Sequence, residues 1–305
     1  MMATTTDAGA EGPEKIYMRW LTLYGLAIAF LAAACCPAQA KSVVLQHSYK
    51  AGQIDKYRMS LDTKMSMPEM PAAAAQNMRV KMSVLLTQKV LGLLPDGSAK
   101  VKMSYSNLKI ESPDMPDTRG ASIPPVAMTL VISRTGQIVS IEDPGQGTGM
   151  PGLDMSSLAG QFGYYGIFPD TAIEVGQMWR SVVPLPFGSG DMRVDFELLA
   201  AAIPIGKEVA SKIKQTYEAY MDLGEMMKGA VASGGAPAIA GQMGGGMHMR
   251  GWSVLYFSPN KGKLIKANGS VNALMSVQMP ASAVQQGAPG RMNMQMDMTL
   301  NLAKV

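Results

Sequence analysis

Apolar and polar side chains alternate with a period of two over long stretches of this chain, and that pattern confines it to antiparallel sheet. Across residues 57–67, Tyr57, Met59, Leu61, Met65 and Met67 fall on one side, interrupted only by Thr63. Arg58, Ser60, Asp62, Lys64 and Ser66 fall on the other. Residues 78–84, 101–105 and 192–198 repeat the alternation. Strands of this kind bury one face and wet the other, whereas parallel strands of βαβ units read as continuous apolar runs. Residues 213–223 fit a helix at first sight. Yet Ile213, Gln215, Tyr217, Ala219, Met221 and Leu223 share one side at period two, which predicts a strand.

Turn chemistry falls between these runs. Pro95-Asp96-Gly97 separates two strands, Arg134-Thr135-Gly136-Gln137 makes a hairpin of 128–133 and 138–141, and Pro259-Asn260-Lys261-Gly262 joins 252–257 to 263–279. One helix is predicted over 153–163, with Asp154 or Ser156 as N-cap and Leu158 and Phe162 on one face. Residues 68–77 and the Gly/Ala-rich 229–246 carry too few large apolar side chains for a core and read as loops.

Short motifs recur in order. Ala51-Gly52-Gln53 matches Val175-Gly176-Gln177, and Met78-Arg79-Val80 matches Met192-Arg193-Val194. The turn at Asp96-Gly97 matches the one at Gly206, and Thr135-Gly136-Gln137-Ile138 matches Lys261-Gly262-Lys263-Leu264. The expectation is a mainly β fold: one curved antiparallel sheet, a half-barrel or open barrel, built from two related units fused edge to edge. The units span 41–145 and 170–305, the connector 146–169 carries the helix, and the helix covers the concave side.

The first 40 residues read as a leader. Arg19 precedes an apolar core running from Trp20 to Ala34, and Ala38-Gln39-Ala40 offers small residues where a signal peptidase cuts. Met18 is the expected true start, and the mature chain is expected in the periplasm or cell envelope. Both cysteines, Cys35 and Cys36, fall within this leader, so disulfides have no part in the expected mature fold. The alternative is a lipid anchor on Cys35 or Cys36. Ala32 stands where a lipobox carries its large aliphatic residue, which favours the soluble form. The charge balance, 27 basic against 23 acidic side chains, is spread as single residues along strands. That distribution excludes a nucleic-acid partner. Few aromatic residues and long polar connectors argue against a membrane-spanning barrel.

The sequence Tyr49-x-x-Gly52, a glycine-bearing strand turn, and Ile167-Phe168-Pro169 followed by Val175-Gly176-Gln177-Met178-Trp179 resembles a family of exported bacterial β-rich proteins, a domain of unknown function. In architecture the pattern is also similar to the half-barrels of periplasmic lipoprotein carriers and mycobacterial lipid-binding lipoproteins. The first resemblance implies an exported β protein and the second an apolar ligand; neither supplies a catalytic residue.

Methionine is the compositional outlier, with 28 in 305 residues. Met292, Met294, Met296 and Met298 share one side of a run with Leu300 and Leu302, and Asn, Gln, Asp and Thr fill the other. Met275 and Met279 share a side with Ala273 and Val277, and Met59, Met65 and Met67 do so near the start. Burial alone accounts for such a face, since each methionine leaving water contributes roughly 1.5–3 kcal/mol. A second reading makes these nine methionines the lining of an apolar-ligand cavity, for a lipid or acyl chain, because thioether side chains re-pack around varied guests. A third makes methionine a soft ligand for periplasmic Cu(I) or Ag(I), with Met243, Met247, His248 and Met249 as the candidate set on a flexible loop.

Catalytic signals are sparse. The two histidines, His47 and His248, are far apart in sequence, and His47 reads as an ordinary surface or edge residue. No Gly-x-Ser-x-Gly elbow is present. Gly145-Gln146-Gly147-Thr148-Gly149 lacks the third spaced glycine and the parallel-sheet context of a phosphate loop. Trp179 and Trp252, which follow Gly176 and Gly251 at strand starts, are expected to plug barrel ends. The chain is therefore expected to be non-enzymatic and without a cofactor, and to bind an apolar ligand. Metal binding and a purely structural role in the envelope are the alternatives.

Overall fold

The computed structural model describes residues 42–67, 78–112, 126–143, 166–184, 191–224, 244–285 and 289–305. Ser42–Val305 forms one compact unit. Eleven strands make up a single antiparallel sheet: β1 (Ile54–Ser66), β2 (Met78–Leu93), β3 (Ala99–Glu111), β4 (Val126–Ile132), β5 (Ile138–Asp143), β6 (Met178–Pro184), β7 (Asp191–Ile205), β8 (Glu208–Asp222), β9 (Gly244–Ser258), β10 (Lys263–Gln278) and β11 (Arg291–Lys304). The expected mainly β, curved and open antiparallel sheet is what forms. The short helix α1 (Ala281–Gln285) starts after Pro280, a residue suited to a helix start, and had no sequence signal of its own. The helix expected over 153–163, the loop 68–77 and the glycine-rich Gly145–Gly149 segment lie outside the described residues.

Strand order is β5-β4-β3-β2-β1-β11-β10-β9-β8-β7-β6. Two five-strand meanders thus lie side by side, and the last strand is inserted between the first strand of one and the last of the other. β1 and β10 never touch as neighbours; β11 pairs with both, Leu300 facing Leu61 on one side and Gly269 on the other. A direct edge-to-edge fusion is therefore replaced by a seam strand. Both Gly-Gln turns that open the meanders are built alike. Gly52 N–H donates to Val90 O at 2.9 Å and Gly176 N–H to Leu198 O at 2.8 Å, while Gln53 and Gln177 side chains accept from Lys50 N and Glu174 N. Both glycines have positive φ, 77° and 87°, which a side chain would resist.

The alternation has a structural meaning on every long strand. One face carries the core: Tyr57 and Met59 on β1, Val84 and Leu86 on β2, Val194, Phe196 and Leu198 on β7, Ile213 on β8, Leu255 and Phe257 on β9. These side chains belong to one apolar cluster, as sheet curvature requires. The other face is polar and carries exposed ion pairs such as Arg79–Asp62 and Arg180–Asp195, each worth little on its own.

Several strands outrun their sequence signal. β7 continues to Ile205 through register shifts at Leu198/Ala200 and Ala200/Ile203, where the run of alanines breaks the period. β9 begins at Gly244, so Gly244, Gly245 and Gly246 belong to a strand and not to the expected loop. The period was present there, but glycine has no side chain with which to display it.

Candidate functional site

The inner face changes character along the strands. At one end it is closed. Met59 is 1% exposed, and Leu302 opposite it is buried too. Towards the other end of β11 the same face is only half-buried, from Leu300 through Met298, Met296 and Met294 to Met292. Here strand pairing assembles methionines from distant parts of the chain. Met221 on β8 faces Met247 on β9, Met247 faces Met275 on β10, and Met275 faces Met294 on β11. One register step inward, Met296 faces Met65 on β1, which faces Met78 on β2. Directly opposed Cβ atoms in antiparallel sheet lie about 4.5–5.5 Å apart, so each row is a continuous ladder of thioethers.

Small residues make room beside them. A Cβ on Gly251 would meet the Tyr217 ring at 2.4 Å, so the glycine lets that ring lie flat across the strand. Further in, Gln215 and Ser253 are directly opposed and each only 2% exposed, and Gln215 Oε1 and Ser253 Oγ have no hydrogen-bond partner. They form a polar notch in an apolar wall. A mostly apolar surface with a few convergent polar atoms is the usual composition of a small-molecule site.

The closed end is held by aromatic packing and one charged staple. His47 stacks on Tyr49 and on Phe168, with ring centroids 5.9 and 5.5 Å away, and meets Phe257 edge-on at 5.1 Å. Its Nε2–H donates to Gly166 O at 2.9 Å. Burial pulls the imidazole pKa from 6.5 to about 4, only partly offset by that bond. His47 is thus no ordinary surface residue, and the aromatics that enclose it come from segments the sequence keeps far apart. Asp55 sits at the seam, bonded to Lys263 Nζ and Lys304 Nζ, each at 3.0 Å, and to Gln53. Burial opposes its ionisation, but these three partners outweigh it and hold the carboxyl below the usual carboxylate range. A recess of about 80 Å³ opens there among Tyr49, Asp55, Tyr57, Gln88 and Lys263.

Those candidate cavity residues that lie within strands fall on one face. Met65, Met67, Met275, Met279, Met292, Met294, Met296 and Met298 are all half-buried, Met67 and Met279 lying just beyond their strand ends. Met59 belongs to the tightly packed end instead. The candidate metal set is divided: Met247 and Met249 point inward, whereas His248 lies on the outer face with Nε2 2.8 Å from Glu218 Oε1. Consecutive residues of a strand must face opposite ways, so a site needing Met247, His248 and Met249 together does not assemble. Met243 lies outside the described residues. Trp179 lies on the edge strand β6, stacked on Phe196 with its Nε1–H donating to Ile167 O. Trp252 plugs no end of the sheet; it is 48% exposed on the outer face, its even position in β9 placing it there. The sequence does not point to Met221 or Met78, nor to the alignment of Met247 and Met249, across Met275 and Ala273 of β10, with Met294 and Met296 of β11, because only strand order reveals it.

No protein-family profile matches the chain, and no curated protein is similar to it. Among solved structures, it is similar to lipovitellin, in a structure described as showing lipid–protein interactions. The TM-score is 0.45 at 9% identity, over 85% of this chain and 25% of that one. The chain thus spans about a quarter of the lipovitellin chain it matches.

Proposed function

We propose that this is an exported, non-enzymatic protein that shelters an apolar ligand, a lipid or an acyl chain, against the methionine end of its inner face. The observation that carries the reading is the burial gradient. Along β11 one sheet face is dry at Leu302, opposite Met59, yet half-wet along Met292–Met298, with apolar side chains at each inward position of the strand. An apolar guest would dry that surface at about 25 cal/mol per Å². Methionine suits a wall that must fit more than one guest, and Gln215 with Ser253 offers a polar contact deeper in. Neither histidine opens into the groove: His47 is closed into the aromatic cluster, and His248 faces away from it.

The test is mass spectrometry of organic extracts from protein purified from its own envelope, joined to binding of a fluorescent fatty-acid probe. A co-purifying lipid is expected, together with probe affinity that falls at least tenfold on Met296→Glu. Probe binding indifferent to Met296→Glu, with nothing extractable, would end the proposal.

A further inference from the structure

We propose that the row of Met221, Met247, Met275 and Met294 binds a soft monovalent cation, Cu(I) or Ag(I), through thioether sulfur alone. Four directly opposed positions on four adjacent strands carry methionine each time. Burial by itself does not select it. Where this face is fully dry, leucine, isoleucine and phenylalanine stand beside methionine, as at Leu86, Leu198, Ile213 and Phe257 beside Met59 and Met128, whereas this row carries methionine at all four positions, from the buried Met221 outward, and leucine replaces methionine in a core at little cost. Two or three neighbouring sulfurs on long, three-torsion side chains can converge on one ion from a ladder with this spacing, the end members Met221 and Met294 lying too far apart to share it.

The donor set decides the class of ion. Thioethers are neutral and soft, which selects Cu(I) over harder divalent cations. Among the described residues no three His, Cys, Asp or Glu side chains group closely enough to hold a metal. His248, the imidazole nearest in sequence, is on the other face and bonded to Glu218. Met275 and Met294 are half-buried, so an ion can reach the row from solvent and its charge is not sealed in an apolar interior.

This site shares the inner face with the apolar-ligand groove but depends on sulfur and not on apolar area, and the two separate experimentally. Full-length protein is titrated anaerobically with Cu(I) against a chromophoric chelator, and in parallel with Zn(II). Wild type is expected to compete for Cu(I) and to ignore Zn(II), and His248→Ala to leave Cu(I) affinity unchanged. Met247→Leu/Met275→Leu/Met294→Leu is expected to weaken Cu(I) by at least tenfold while the fatty-acid probe still binds. Met275→Leu alone, the milder change, should weaken Cu(I) by a smaller factor if the triple variant misfolds. Cu(I) affinity surviving these Leu variants, or lost in His248→Ala, overturns the site without touching the lipid reading. Probe binding lost with Cu(I) binding intact does the reverse.

Discussion

His47 shows how one side chain ties distant segments together and makes the fold sensitive to acid. Its ring closes against Tyr49, Phe168 and Phe257, and its Nε2–H reaches Gly166. In the unfolded chain the imidazole titrates near 6.5, whereas in the fold it titrates at about 4. Above 6.5 both states are neutral, and the stabilisation is complete. As pH falls from 6.5 towards 4 the unfolded state takes up a proton that the native state refuses, so stability is lost across that window and levels off below it. A shift of this size corresponds to about 3 kcal/mol at most. Urea midpoints measured at pH 7 and 4.5 should therefore diverge in wild type and converge by 2 kcal/mol or so in His47→Phe. An unchanged pH slope in that variant would mean the ring protonates freely. Asp55 acts in a different window. Its lowered pKa gives the seam a contribution that is complete above the ordinary carboxylate range and is lost as pH falls from that range through the native pKa.

Among elements, β11 matters most, because without it β1 and β10 have no common partner. Thr299 on its outer side faces Asp62 and Ser270, with ladders on both flanks. Proline there removes a central hydrogen bond and is expected to cost roughly 3 kcal/mol or more, against less than about 1 kcal/mol for Thr299→Ala. A Thr299→Pro protein with a wild-type denaturation midpoint would show that the two meanders stand without their seam. What the sequence revealed at this scale was local. The period of two at Ile213, Gln215 and Tyr217 correctly separated β8 from a helix, since side-chain alternation is carried by neighbours in the chain. The same period assigned Met292–Met298 to one face. Strand order is not local: nothing in the residues at 291–304 says that they lie beside both β1 and β10. For that reason nothing local joins Met221, Met247 and Met275 to Met294, and sequence proximity groups Met247 with His248, which lies on the opposite face. Three glycines at the start of β9 hid the alternation that would have separated them.

At the scale of the whole molecule, β1 and β11 run from a dry end to a half-buried one, whereas β7 and β8 stay buried to Met192 and Met221. On β1, Tyr57 and Met59 are sealed while Thr63 and Met65 are half-buried, and β11 runs the same way from Leu302 to Met292. Backbone ladders continue unbroken into the half-buried end, from Met59↔Leu302 to Met65↔Met296. The difference therefore lies in side-chain burial and not in hydrogen bonding. Local opening is set by how much apolar contact each segment must give up. Amides near Met65 and Met296 should then exchange with solvent well before those near Met59 and Leu302, by about a hundredfold if the opening energies differ by roughly 3 kcal/mol. Adding the fatty-acid probe should slow the fast set and leave the slow set alone, because a guest supplies contacts only where they are missing. Hydrogen exchange followed by mass spectrometry separates these segments. Uniform protection along β1 and β11, or probe-induced slowing at the Met59 end, would show that the methionine end is simply more core.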